Sequence, residues 1–157
     1  MPRTAVIGLG NPYVRDEGIG IRVVSSLAET YDCADVDVYD LGTASFRILH
    51  IIESREKIII IDCALMGTEP GTIRRFTFDQ ARSVKVLRHH SLHEGDLFEV
   101  MALTGSGEDE QPDIVVFGVE PEDLALGEGL SSVLEKRLPD YLDAVARECG
   151  LRRREGP

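Results

Sequence analysis

The chain has 157 residues, with 17 lysines and arginines against 28 aspartates and glutamates, and a formal net charge of −11. This length suits one domain, which we expect over residues 1–150, followed by a disordered tail at residues 151–157. The excess of carboxylates argues against nucleic acid and anionic membrane partners, because both bind through clustered lysine and arginine. Three scattered cysteines without a CxxC pair argue against a disulfide framework or a structural zinc site.

Patterns typical of export or membrane insertion do not occur in the sequence. The apolar run near the amino terminus is too short for a signal peptide. No other stretch approaches the ~20 consecutive apolar residues that a membrane-spanning helix needs. A reducing cytoplasm is therefore the expected location, and it agrees with the low number of cysteines.

The first part of the chain alternates predicted strands and helices. An apolar segment that ends at glycines predicts a buried strand over residues 4–9. Apolar residues at helical spacing predict an amphipathic helix over residues 18–30. Alternation with aspartate then predicts a half-buried strand over residues 36–39. The helix expected next has three apolar residues on one face: Phe46, Leu49 and Ile52.

The strongest strand signal lies in the middle of the sequence. Four consecutive isoleucines within residues 57–62 indicate a central parallel strand, since such strands are buried on both faces. Residues 73–78 alternate and predict an edge strand, and residues 113–119 predict another buried strand. Helices are expected over residues 96–103 and 130–148. A capping box is expected at the start of the last helix, formed by two residues: Ser132 and Glu135.

Strands that alternate with helices predict a single α/β domain. We expect a three-layer sandwich with a mostly parallel, twisted sheet, similar to the phosphorylase and hydrolase folds. In such sheets, ligands bind beyond the carboxyl ends of the strands. Three polar groups fall at that edge: the loop at residues 11–18, Asp62 after the isoleucine strand, and the histidine-rich stretch at residues 88–93.

The acidic residues at this edge have both a structural and a functional interpretation. Asp62 directly follows a buried strand, so it is either a turn or helix-capping acid, or a ligand or general base. Asp16 and Glu17 precede a helix, whose amino end favours negative charge. Together with Glu94 and Asp96, these residues are expected to gather at one end of the sheet. Their negative field would favour a cationic metal centre.

The histidines add a possible third kind of ligand. His89, His90 and His93 lie close together in the sequence, and a solvated loop is the structural interpretation. If Glu17, Asp62 and one of these imidazoles converge, they form a set of two carboxylates and a histidine. Such a set suits borderline divalent ions such as zinc or nickel.

Five short motifs follow one another along residues 4–147. They are Gly8-Leu9-Gly10-Asn11 with Asp16-Glu17-Gly18-Ile19-Gly20, Asp40-Leu41-Gly42-Thr43, Ile59-Ile60-Ile61-Asp62, Ser91-Leu92-His93 and Gly118-Val119-Glu120-Pro121-Glu122. Because these motifs occur in this order, the chain resembles the NiFe hydrogenase maturation endopeptidases. Each motif alone is weak, and their common order carries the resemblance.

The resemblance implies an endopeptidase that removes a carboxy-terminal extension from a NiFe hydrogenase large-subunit precursor after nickel insertion. It assigns the metal-contacting and catalytic positions to Glu17, Asp62 and His93. The precursor would supply the nickel, with zinc or cadmium as alternative ions in vitro. Two mechanisms stay open. Either the metal activates the attacking water, or Asp62 or Glu17 acts as the base in an aspartic-type mechanism. The tandem His89-His90 also leaves open which imidazole is the ligand.

Two other functions fit part of the sequence. A nickel-dependent chaperone or sensor of the immature subunit would use the same three ligands without cleaving a bond. Residues 8–12 also resemble the opening of the peptidyl-tRNA hydrolases, which share the general α/β layout. Residues 14–17 lack the catalytic histidine of those enzymes, and a net charge of −11 suits a tRNA substrate poorly.

Overall fold

The computed structural model describes residues 2–53, 55–84 and 112–156. They contain five strands and four α-helices, and two short 3₁₀ turns, Arg15–Gly18 and Ser45–Arg47, precede the first two helices. The elements are β1 (Thr4–Leu9), α1 (Ile19–Thr30), β2 (Val36–Gly42), α2 (Ile48–Ile52), β3 (Lys57–Cys63), β4 (Ile73–Thr77), α3 (Phe78–Val84), β5 (Asp113–Val119) and α4 (Ser132–Cys149).

The strands form one sheet in the order β2-β1-β3-β5-β4. β1 pairs in parallel with β2 and β3, and β3 pairs in parallel with β5. β4 is antiparallel to β5 and lies at the edge, as its alternating sequence predicts. The central position of β3 explains its isoleucines, because a strand with a neighbour on each side and helices on each face has no side exposed to water.

Helices cover both faces of the sheet. On one face, α1 and α4 pack against alternate strand residues such as Val6, Ile59 and Val115. On the other face, α2 and α3 pack against the residues between them, such as Ile60 and Val116. The predicted three-layer α/β sandwich with a mostly parallel sheet is confirmed. Each fully buried isoleucine of β3 contributes roughly 1.5–3 kcal/mol of hydrophobic stabilisation.

The buried face of α2 differs from the predicted one. The sequence places Phe46, Leu49 and Ile52 on a common apolar face, but the buried side chains are Ile48 and Ile51, and Phe46 is exposed. The segment begins with a 3₁₀ turn, which has three residues per turn instead of 3.6. The change of helical period rotates the later side chains relative to Phe46, so a single period cannot predict the buried set.

The cap of α4 also differs from the prediction. Ser131, and not Ser132, is the N-cap, and its hydroxyl accepts a hydrogen bond from the backbone N–H of Leu134 at 3.5 Å. Glu135 does not close a capping box with Ser132. Its carboxylate instead accepts a hydrogen bond from Arg22 on α1 at 2.6 Å, which joins the two helices on this face of the sheet.

Helix α3 and the carboxy-terminal segment also differ from what the sequence predicts. The helix α3 directly follows β4 and is absent from the prediction, whereas the helix expected over residues 96–103 lies outside the described residues. The segment expected to form a disordered tail contacts the end of α1. The backbone N–H of Arg154 donates to the carbonyl of Thr30 at 2.9 Å, and Arg153 forms an isolated bridge with Tyr31.

Candidate active site

The strand order reverses between β1 and β3. From β1 the chain passes through α1 to β2 on one side, and then through α2 to β3 on the other side of β1. In open α/β sheets, ligands bind in the crevice outside the carboxyl ends of the strands at such a switch point. Glu17 lies in the connection after β1, and Asp62 is the penultimate residue of β3. Topology thus brings both predicted acids to this crevice.

Glycines allow the turn that carries Glu17 to approach the strand ends. A Cβ atom on Gly10, whose φ is +139°, would lie 1.9 Å from the carbonyl oxygen of Glu17. A Cβ atom on Gly20 would lie 2.3 Å from the carbonyl oxygens of both Leu9 and Ile61. Only glycine permits these backbone contacts, which hold the turn and the start of α1 against the ends of β1 and β3.

Both predicted acids at the crevice are buried. The residue Glu17 is 7% exposed and Asp62 is 0% exposed. The Oδ1 atom of Asp62 accepts a hydrogen bond from the N–H of Cys63 at 2.8 Å, which fixes the orientation of the carboxylate. Two buried carboxylates at one strand edge provide hard oxygen donors, and these fit a divalent cation. Within the residues that the structure describes, no group of three or more histidine, cysteine or acidic side chains forms a metal site.

The third predicted ligand, His93, lies outside the described residues. The same holds for His89, His90, Glu94 and Asp96. The structure therefore places two of the three predicted site residues at a common edge. The convergence of an imidazole with them, and the choice among the three histidines, stay predictions.

The structure gives Asp16 a different environment from its neighbour Glu17. Its carboxylate is fully buried and accepts four hydrogen bonds from the loop that follows β5. The donors are the N–H and Oγ of Ser131, both at 2.7 Å, and the N–H groups of Glu122 and Asp123, both at 2.9 Å. Asp16 remains at the predicted end of the sheet, where it ties two loops together and fixes the position of the turn that contains Glu17.

A second buried acid, Glu120, has an equivalent structural task. Its carboxylate accepts hydrogen bonds from the N–H of Met66 at 3.1 Å and from the N–H of Thr68 at 2.7 Å. These contacts tie the loop after β3 to the end of β5. The same loop is held by Tyr141 of α4, whose hydroxyl donates to the carbonyl of Gly71 at 2.6 Å. Burial raises the pKa of Tyr141 to about 12, so the hydroxyl keeps its proton at neutral pH.

Sequence reasoning singled out Glu120 only as part of a motif. Its signal is the same as that of Asp62: an acid that directly follows a buried parallel strand. The two acids differ in their hydrogen-bond partners. Glu120 accepts hydrogen bonds from backbone N–H groups of a loop more than fifty residues away. That distinction requires the tertiary structure.

Comparison with known proteins decides the family. A family model described as hydrogenase maturation protease (HycI) matches residues 21–148, which is well over half of the chain. The chain belongs to the hydrogenase maturation protease family. The matched range includes Asp62 and His93 but begins after Glu17.

Relatives of this protease match over nearly its whole length. The hydrogenase 2 maturation protease of Escherichia coli K12 is 29% identical over 156 residues, covering 95% of this chain and 93% of the relative. The hydrogenase expression/formation protein HupD of Rhizobium leguminosarum bv. viciae is 26% identical, covering 93% of this chain and 73% of that protein.

Solved structures support the same fold for this protease. The hydrogenase maturating endopeptidase HybD from E. coli is 28% identical, with a TM-score of 0.79 and a coverage of 96% of both chains. The [NiFe] hydrogenase maturation protease HybD from Thermococcus kodakarensis is 22% identical with a TM-score of 0.77, and covers 93% of this chain and 98% of that one. Family membership makes the chain a peptidase.

Within its described part, no helix is sufficiently long and apolar to cross a membrane.

Proposed function

We propose that this hydrogenase maturation protease removes the carboxy-terminal extension of a NiFe hydrogenase large-subunit precursor after nickel insertion, and that it does so in the cytoplasm. The observation that carries the proposal is the pair of buried carboxylates, Glu17 and Asp62, at the switch point of a fold shared with hydrogenase maturation proteases. The acids lie at the carboxyl ends of β1 and β3, which is where open α/β sheets bind their ligands, and we propose that the peptide extension binds there.

Peptide hydrolysis requires a base for the attacking water and an acid for the departing amine. A carboxylate of Glu17 or Asp62 takes a proton from the water as its oxygen attacks the scissile carbonyl carbon. The tetrahedral intermediate then collapses, the C–N bond breaks, and the proton passes to the amine of the released extension. Both acids are buried at the edge where the scissile bond would lie, so the carboxylate that takes the proton is close to the amine that receives it.

We further propose that nickel enters as part of the substrate. Glu17, Asp62 and His93 would contact it, in agreement with the affinity of oxygen and imidazole donors for such ions. A divalent ion held by these residues would supply Lewis-acid chemistry, namely polarisation of the scissile carbonyl and a lower pKa for a bound water. The contacts would also restrict cleavage to precursors that already contain the metal. Tight, saturating nickel binding by the protease alone in calorimetric titration would contradict this part of the proposal.

The test is incubation with nickel-loaded large-subunit precursor, followed by mass spectrometry of its carboxy terminus. We expect the wild-type protease to shorten the precursor, and Glu17→Gln, Asp62→Asn and His93→Ala each to abolish processing. Asp35→Asn, a substitution of an exposed carboxylate far from the crevice, is the matched control and should process normally. Wild-type rates in the three variants would refute the site assignment. A stable complex with wild-type protein and no loss of mass would favour a chaperone.

A further inference from the structure

Large apolar side chains are exposed at four positions in the described part of the chain. They are Tyr13 (64% exposed), Phe46 (71%), Leu65 (50%) and Leu126 (87%). Each follows a different strand: β1, β2, β3 and β5, respectively. Because these four strands are parallel, all four side chains lie in loops at the carboxyl edge of the sheet. We call these four residues the apolar rim.

The position of the apolar rim is what makes it informative. Single exposed apolar residues are common on protein surfaces and need no explanation, but a group on one side of the molecule marks an interaction site. Here the group surrounds the edge that holds Glu17 and Asp62, and none of the four lies at the opposite edge. Four exposed apolar side chains at the candidate catalytic edge indicate a surface that is covered when substrate binds.

The loops that carry the apolar rim are joined to one another by backbone hydrogen bonds. Gly127, beside Leu126, donates to the carbonyl of Tyr13 at 2.8 Å. The loop after β1 is tied to the end of β2 by the N–H of Gly10, which donates to Gly42 at 3.0 Å. The buried carboxylate of Glu120 connects the loops after β3 and β5, because it accepts hydrogen bonds from backbone N–H groups of the first loop. The connections that carry the rim are thus held to one another.

The charges around the rim indicate the chemistry of its partner. Within the segments that carry it, the exposed charged side chains are the four acids Asp40, Glu69, Glu122 and Glu128 and a single base, Arg47. The segments are residues 10–18, 40–47, 64–72 and 120–131. Apolar contacts surrounded by carboxylates fit a partner surface in which apolar residues are flanked by lysine or arginine.

We propose that the apolar rim is the docking surface for the folded part of the precursor, which binds through apolar residues flanked by basic ones while its extension enters the crevice. This inference rests on the proposed function. A second copy of the chain is a poorer occupant, because a symmetric contact through the rim would place the same acidic segments opposite each other. The partner therefore differs from this chain in the sign of its surface charge.

The experiment measures binding separately from cleavage. All proteins carry Asp62→Asn, which stops cleavage, and the dissociation constant for the nickel-loaded precursor is measured by biolayer interferometry. Each value is compared with that of Asp62→Asn alone, so any effect of this substitution on nickel contact is common to all proteins. We expect replacement of all four rim residues by serine to weaken binding at least tenfold, because a few well-packed residues, often aromatic, carry most of the binding energy of an interface. Glu29→Ser, at an exposed position near the far end of α1, is the control and should bind normally.

The outcomes separate the rim from the proposed function. An unchanged dissociation constant in the serine variant, with normal cleavage by the wild-type protein, would overturn the rim proposal alone. Failure of the wild-type protein to bind or cleave the precursor would overturn both. Two other results would reassign the rim: a wild-type dimer that the substitutions convert to a monomer, or a melting temperature lowered by more than ~5 °C, which would place these side chains against their own chain.

Discussion

Replacement of Asp16 by asparagine tests whether the turn next to the candidate catalytic edge is held by a buried carboxylate. Asparagine has the same shape but keeps only one oxygen, and its amide NH₂ cannot accept a hydrogen bond. If the NH₂ replaces Oδ2, it faces the N–H groups of Glu122 and Asp123; if it replaces Oδ1, it faces the N–H of Ser131. At least one buried backbone N–H therefore loses its acceptor in either orientation.

The magnitude follows from the kind of bonds that are lost. A hydrogen bond to a charged group contributes ~1.5–3 kcal/mol, and a buried donor left without an acceptor costs ~1–3 kcal/mol. We expect Asp16→Asn to lower the free energy of unfolding by about 2–4 kcal/mol. In a chain of this size, that loss lowers the melting temperature by roughly 5–15 °C. Asp16→Ala, which removes all four bonds, should be more destabilising.

Urea denaturation followed by circular dichroism measures this loss, and the slope of the transition reports whether the unfolded state has changed. Asp35→Asn makes the same chemical change at an exposed position and should alter stability by less than ~0.5 kcal/mol. A loss below that value in Asp16→Asn would refute the view that this carboxylate holds the two loops together.

Two further substitutions test the packing and the electrostatics. Gly20→Ala should destabilise the fold by about 3 kcal/mol in urea denaturation, because the new Cβ would lie 2.3 Å from the carbonyl oxygens of Leu9 and Ile61, and backbone cannot move aside cheaply. Glu148→Gln should flatten the loss of stability on acidification. The hydrogen bond from Arg75 lowers the pKa of Glu148 in the folded state. Its contribution is therefore complete at neutral pH and is lost as the pH falls through and below about 4.3, the ordinary value for glutamate.

Controls on the exposed face of α1 keep both results interpretable. Ser25→Ala also puts an alanine on α1, but on its solvent side, and should leave stability within ~0.5 kcal/mol of the wild-type value. Glu29→Gln makes the same chemical change as Glu148→Gln at an exposed position, and should leave the free energy of unfolding at neutral pH within ~0.5 kcal/mol of the wild-type value. Wild-type stability in Gly20→Ala, or an unchanged acid profile in Glu148→Gln, would contradict the contacts described for these residues.

The layered fold is predictable from the sequence because its signals are local and strong. The isoleucine strand within residues 57–62 and the buried strand at residues 113–119 are apolar throughout, which identifies them as central strands of a parallel sheet. The α2 segment is harder. The burial of Ile48 and Ile51 depends on the preceding 3₁₀ turn, and no periodic pattern in the sequence predicts that turn.

The site is predictable only in part. Glu17 and Asp62 can be placed at one edge from topology alone, because acids after neighbouring parallel strands meet at their carboxyl ends. The structural tasks of Asp16 and Glu120 cannot be predicted in this way. The donors to Asp16 come from residues more than a hundred positions away, so its environment exists only in the folded chain. Adjacent acids, Asp16 and Glu17, therefore look alike in the sequence and differ in the structure.

The hydrogen bonds in the loops at the candidate catalytic edge have an energetic consequence for partner binding. Asp16 and Glu120 together accept hydrogen bonds from the N–H groups of five loop residues: Glu122, Asp123, Ser131, Met66 and Thr68. These residues are already ordered before a partner arrives. When loops become ordered on association, the loss of conformational entropy usually reduces the binding free energy. Because these loop residues are already held in place, this loss is small here. More of the contact energy of a large protein substrate is thus available as affinity.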